Sequence, residues 1–428
     1  MRKIFCGLSI VATVVITATT GTAQQAEHYR DNLPVHHPAI QYELGSFDHP
    51  VASLSRSLDA GRLTLDLDGR FGYLPSLLHH LDIQLDSQVL VFSRTSLQAH
   101  LVSPRSPRAI YFSDTVAVGF VPGADVIEIA AFTSKRGTSF YTLNTARTEG
   151  PKIVRSTGCL SCHQGPATLG VPGPYVGSVS TSATGRPAFR LGTVVVDHRT
   201  PLDQRWGGWY VTGTHGTQQH RGNRPAQDPT RTANRGDDTN LNLTSLRHLF
   251  NPSRYLTPSS DIVALMTLEH QTHLINLFAR VNWETRIARH DGELGTAEAN
   301  ARQRIVEEIV RYMLFADEVA IDSPIQGVSS FRRTFPVHGP RDQHGRSLRD
   351  FDLQTRLFRY PLSYMIYSPL FDDLPPPVLS SVYQRLFEIL TGNASTDQFG
   401  RLSAMDRNAI LEILSETKIG LPAYWHQQ

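Results

Sequence analysis

The chain has 428 residues, 40% of them hydrophobic, with 41 Lys and Arg against 39 Asp and Glu. That length accommodates two or three hydrophobic cores, and the near balance of charge removes the electrostatic case for a nucleic-acid-binding protein. Three cysteines in so long a chain exclude a disulfide-stapled scaffold.

The first segment reads as a leader. Met1-Arg2-Lys3 is a short positive start, residues 4–16 are apolar, and Gly21-Thr22-Ala23 presents small residues to a signal peptidase. Residues 1–23 are therefore expected to be a cleavable secretory signal peptide. The apolar run is shorter than the ~20 residues of a membrane span, so no stable span is expected after cleavage. The expected location is the periplasm or the external medium. Cleavage removes Arg2, Lys3 and Cys6, which brings the basic residues level with the 39 acidic ones and leaves Cys159 and Cys162.

Residues 24–150 read as a β-rich domain. Short runs of Val, Ile, Phe and Tyr at 88–93, 109–113, 115–120, 125–132 and 139–143 are separated by turn residues such as Ser103-Pro104 and Pro122-Gly123. The runs at 115–120 and 125–132 are spaced as a hairpin. Residues 151–221 hold a cysteine motif and two further strand candidates, at 192–196 and 209–211. Residues 222–240 are polar and nearly free of large apolar side chains, which predicts a loop or linker. From 241 to 428 the hydrophobic period becomes helical, with amphipathic helices expected at 261–287, 297–315, 377–390 and 403–416. The expected class is α+β: a β-rich N-terminal part, a central segment around the motif, and a helical C-terminal part.

The motif is Cys159-Leu160-Ser161-Cys162-His163. A closed zinc site needs two more ligands at close spacing; His270 and His273 stand far downstream. The cysteine spacing also fits a thiol–disulfide site in an oxidising compartment. A covalent haem accounts for every residue of the motif. Two thiols three apart on one helical turn reach the two vinyl groups of a porphyrin, and the adjacent imidazole faces the iron. The signal peptide agrees, since thioether attachment takes place outside the cytoplasm.

The motif resembles the attachment site of c-type cytochromes, and Gly173-Pro174-Tyr175-Val176 is similar to the Gly-Pro segment beside the proximal histidine in small members of that family; Pro166 is an equal candidate. The resemblance implies one covalent haem c on Cys159 and Cys162, with His163 as the proximal iron ligand. It covers about twenty residues. The small members carry the motif near the start and a methionine ligand some tens of residues later, whereas here the first methionine after the motif is Met266. The stretches SQVLVFSRTSLQ and WGGWYVTGTHG look like segments of uncharacterised bacterial c-type cytochrome-like proteins, which implies no activity.

The second axial ligand separates an electron shuttle from a haem with an open iron site. His270 is the first candidate, because on a helix from Asp261 it shares a face with Val263, Met266, Leu274 and Leu277. His215, in the glycine-flanked Thr212-Gly213-Thr214-His215-Gly216, is the alternative; His198 and His220 are weaker versions of it. His273 is expected nearer the surface, and Met266, Met313 and Met365 in cores. Arg205 and Arg221 could pair with haem propionates, and Trp206 and Trp209 could wall the pocket, although ordinary surface Arg and core Trp roles are the commoner ones. The expectation is an exported single-haem electron-transfer protein, working with a redox partner protein or a small electron donor or acceptor. The alternatives are a peroxidase-like haem oxidoreductase with an open iron site, a haem sensor or complex subunit, and a thiol–disulfide protein without haem.

Overall fold

The computed structural model describes residues 31–44, 47–145, 150–224, 241–293, 295–393 and 399–426. The expected signal peptide, and the expected linker from residue 225 to 240, lie outside the described residues. The fold is α+β, with a large antiparallel sheet in the N-terminal half and helices in the C-terminal half.

Two short helices, α1 (Pro50–Asp59) and α2 (Leu74–His80), precede the sheet. The strands follow: β1 (Val89–Val91), β2 (Arg108–Phe112), β3 (Val116–Phe120), β4 (Val126–Thr133), β5 (Gly137–Asn144) and β6 (Ile153–Arg155). A one-turn helix α3 (Leu160–His163) carries the motif and leads to the ribbon β7 (Val176–Val179) with β8 (Thr193–Val196). Strand β9 (Trp209–Tyr210) returns to the main sheet beside β1, giving seven antiparallel strands in the order β6-β5-β4-β3-β2-β1-β9. The sheet thus takes β6 and β9 from beyond residue 150. The expected hairpin forms, with Val118 opposite Ile129.

Alternation sorts the side chains of each strand onto two faces. On β3, Val116, Val118 and Phe120 face one way and Ala117 and Gly119 the other; on β4, Ile127, Ile129 and Ala131 oppose Glu128, Ala130 and Phe132. The first set builds a core with α1 and α2. The second faces the helical half, where Val89, Val91, Phe112 and Phe132 join one large core with the C-terminal helices.

The organising helix is α4 (Ile262–Asp291), 30 residues long. Asp261 caps it by accepting from the Val263 amide, and Gly292, at φ 74°, ends it in the left-handed conformation that suits glycine. The sequence predicts an amphipathic helix, yet from Ile262 to Trp283 all residues but His273 are buried. The reason is that its polar side chains find partners inside: Gln271 donates to the Ser113 carbonyl and accepts from Tyr364, Asn276 donates to the Pro174 carbonyl, and Asn282 to that of Asp373. Helix α5 (Thr296–Met313) packs on α4. A short ribbon of β10 (Gly213–Thr214) and β11 (Gln326–Gly327), two one-turn helices, α6 (Phe331–Thr334) and α7 (Pro369–Asp372), and helices α8 (Pro376–Leu390) and α9 (Ala404–Thr417) complete the structure. No helix among the described residues is long and apolar enough to cross a membrane.

Candidate functional site

The chain leaves β6 directly into the motif. Cys159 begins the α3 turn, and the amides of Cys162 and His163 donate to its carbonyl at 3.2 and 2.9 Å. One turn therefore presents Cys159 and Cys162 on neighbouring positions, both as free thiols, Cys159 half-buried and Cys162 exposed. Burial pushes the Cys159 thiol up, and the Ser156 hydroxyl draws it back.

His163 is held from the far side by the Gly173 segment. Its Nδ1 lies 2.9 Å from the Gly173 carbonyl, and its own carbonyl accepts from the Gly173 amide at 2.9 Å. Because Nδ1 faces an acceptor it must carry the proton, which makes Nε2 the basic nitrogen. The ring lies 4.9 Å from Phe140 on β5 and 5.5 Å from Tyr175. Burial holds the imidazole below its usual range, so it is neutral at pH 7. Gly173 can approach this closely because it has no side chain: a Cβ there would come within 2.8 Å of Asn276 Cγ on α4.

Cys159, Cys162 and His163 together line an open cavity between the motif, the second face of the sheet and α4. Small residues on the sheet, Ala117, Gly119 and Ala130, leave the space. Ile110, Phe132, Phe140, Trp209 and Leu268 give it apolar walls. The one charged group on the sheet wall is an ion pair, Arg108 Nη2 to Glu128 Oε2 at 2.6 Å. These residues fit a haem: two thiols on one turn, an imidazole with its basic nitrogen free of the Gly173 contact, and a mostly apolar cavity beside them.

The structure does not bring His270 to this cavity. Leu268 and Thr272 of α4 line it, and at 100° per residue His270, two positions from each, points to the opposite side. There it is fully buried, with Nδ1 2.8 Å from His198 Nδ1 and Nε2 2.8 Å from Ser363 Oγ, and its ring 4.5 Å from that of Phe315. It has the packing and hydrogen bonds of a core histidine, and burial lowers it to about 3. His215 is also buried away from the cavity, 4.8 Å from the His220 ring, with Nε2 taken by the Asn242 amide. His273 sits beside Asp197 and Glu308.

Arg205 does not reach the cavity either. It forms a buried ion pair with Glu269, whose other oxygen accepts from Trp206 Nε1 at 2.9 Å. Burial pushes Glu269 up to about 7 in spite of Arg205. Arg221 donates to Ser180. Of the four residues considered for the pocket, Trp209 lines it. The residues that sequence reasoning missed are Arg108 and Glu128. Their signal was present: an acid inside the otherwise apolar run of β4, an arginine at the first position of β2, and one glycine in β3 between them.

Comparison with protein-family models, with curated proteins and with solved structures finds no match to this chain.

Proposed function

We propose that the chain is an exported haem c protein whose iron keeps one open coordination position, acting as a haem-dependent oxidoreductase or ligand sensor. Cys159 and Cys162 would each add across one vinyl double bond. The sulfur forms a bond to carbon and the thiol hydrogen passes to the vinyl group, so no oxidant is consumed. His163 Nε2 would hold the iron, with the Gly173 carbonyl fixing the ring. The bound haem supplies one-electron chemistry and a site for a small ligand; the chain supplies orientation and a largely apolar surrounding.

The observation that carries this reading is the lining of the cavity. His163 is the one histidine among its described residues, and no methionine is present. A second reading, electron transfer to a partner at an exposed haem edge, is favoured by the exposure of Cys162 and of Leu97, which is 61% exposed, on the same cavity.

The protein should be made in a host with haem-attachment machinery. It should carry a haem that survives denaturation and acid–acetone extraction, and Cys159→Ser or Cys162→Ser should weaken attachment. High-spin iron that takes cyanide or carbon monoxide at once supports the open site. Low-spin iron that ignores both supports the shuttle. A colourless, correctly processed protein would sink both and favour the thiol–disulfide alternative.

A further inference from the structure

The Arg108–Glu128 pair is an expensive feature to place on this wall. It stands on the apolar face of a sheet, with side chains 23% and 14% exposed. Surface ion pairs contribute little to stability, and half-buried ones lose hydration on both partners. The two residues are not even on neighbouring strands. Arg108 is on β2 and Glu128 on β4, with β3 between them. The guanidinium reaches across β3 at Gly119, which stands opposite Glu128 in register. A Cβ at Gly119 would lie 2.7 Å from Arg108 Nε and 2.9 Å from its Cζ, so the crossing needs glycine there. Arg108 Nε is fully buried and meets no hydrogen-bond acceptor among the described residues. A buried donor with no acceptor, and a carboxylate beside it, thus belong to residues that line one cavity with His163.

We infer that Arg108 and Glu128 form the recognition site for a small protic ligand HX, hydrogen peroxide in class, that coordinates the iron as its anion. This rests on the haem reading above. The Glu128 carboxylate would take the proton of HX as its anion X⁻ is held by the iron of a bound haem. Arg108 would donate a hydrogen bond to that anion, an interaction worth most in a partly dry site. Gly119 is the positioning residue, since it alone lets the guanidinium lie flat on the sheet. Carbon monoxide carries no proton and little charge, so the pair should not discriminate in its favour.

The test uses the haem-loaded full chain, with fluoride, cyanide and carbon monoxide as probes. Arg108→Leu should weaken fluoride binding to the ferric protein by ~10- to 100-fold, the worth of a hydrogen bond to a charged group, and leave carbon monoxide affinity nearly unchanged. Gly119→Ala keeps every charge but displaces the guanidinium, and should act in the same direction. Glu128→Gln should slow cyanide association by about tenfold or more, because the proton loses its acceptor. Fluoride and cyanide binding unchanged in all three variants, with haem still attached, would overturn the inference alone; a shifted reduction potential beside that result would make Arg108 a propionate anchor. Equal losses for fluoride and carbon monoxide would also overturn it, as a general disturbance of the pocket. A wild-type protein without covalent haem would instead remove the reading on which it rests.

Discussion

His270 illustrates what a single side chain can decide. Its two ring nitrogens are committed to His198 and Ser363, so replacing it should cost stability without touching the spectrum of the haem proposed at the motif. His270→Ala is expected to lower stability by ~2–4 kcal/mol through the cavity and the lost hydrogen bonds, read from denaturant midpoints, with the optical spectrum unchanged. If the wild type carries the proposed haem in a low-spin state, a change to high spin in that variant alone would make His270 an iron ligand and overturn the open site. The same residue predicts a pH dependence. Its folded-state value, about 3, lies below the ordinary 6.5. The unfolded chain therefore binds a proton that the folded chain refuses, and stability falls as pH drops from about 6.5 toward 3. Burial lowers His198 as well, and His49 to about 4, so they act in the same direction. In His270→Gln the acid slope should be visibly shallower; an unaltered slope would assign the acid sensitivity to other groups.

Two glycines set the spacing between elements, and they should respond differently to alanine. Gly173 lies between the His163 turn and α4, and its added Cβ would meet Asn276 on a helix that cannot give way. Gly173→Ala should cost ~1–3 kcal/mol by overpacking and loosen the hold of the Gly173 carbonyl on His163. Gly119→Ala meets only the far end of a flexible arginine, so the sheet should keep its melting temperature within a few degrees, given a cost of less than about 1 kcal/mol. Thermal unfolding of the pair, measured side by side, checks this. Equal losses would mean that Arg108 is as rigidly held as Asn276. The buried α4 helix follows the same logic, because its polar side chains each have a fixed partner and the helix has little freedom to rotate.

At the scale of the molecule, the sheet and the helices share one core. Val89, Val91, Phe112 and Phe132 of the sheet pack in the same cluster as Ile262, Leu268, Phe278 and the C-terminal helices. The sheet also draws β9 from residues 209–210. A fragment of residues 24–240, although it holds the motif and every strand of the large sheet, lacks α4 and would expose that whole face to water. It is expected to be aggregated or to bind a hydrophobic dye with weak near-ultraviolet circular dichroism. A soluble fragment with native-like near-ultraviolet signals would mean that the β-rich part folds alone.

The sequence by itself determined what local chemistry determines. Strand alternation and helical period placed most elements within a few residues, from the 115–120 and 125–132 hairpin to the helix now seen at Ile262–Asp291, because period and caps are written in neighbouring residues. The same holds for Cys159, Cys162 and His163, whose geometry comes from one helical turn. Long-range assembly was not legible in this way. Helix period placed His270 on an apolar face, but only packing decides which apolar face meets the motif, and it is the side bearing Leu268 and Thr272. The Arg108–Glu128 pair was hidden for a related reason. Its partners are separated in sequence and joined across a strand, and that adjacency exists only once sheet register has put Gly119 between them. Register and facing are set by the total apolar area buried across the molecule, a quantity that no single segment contains.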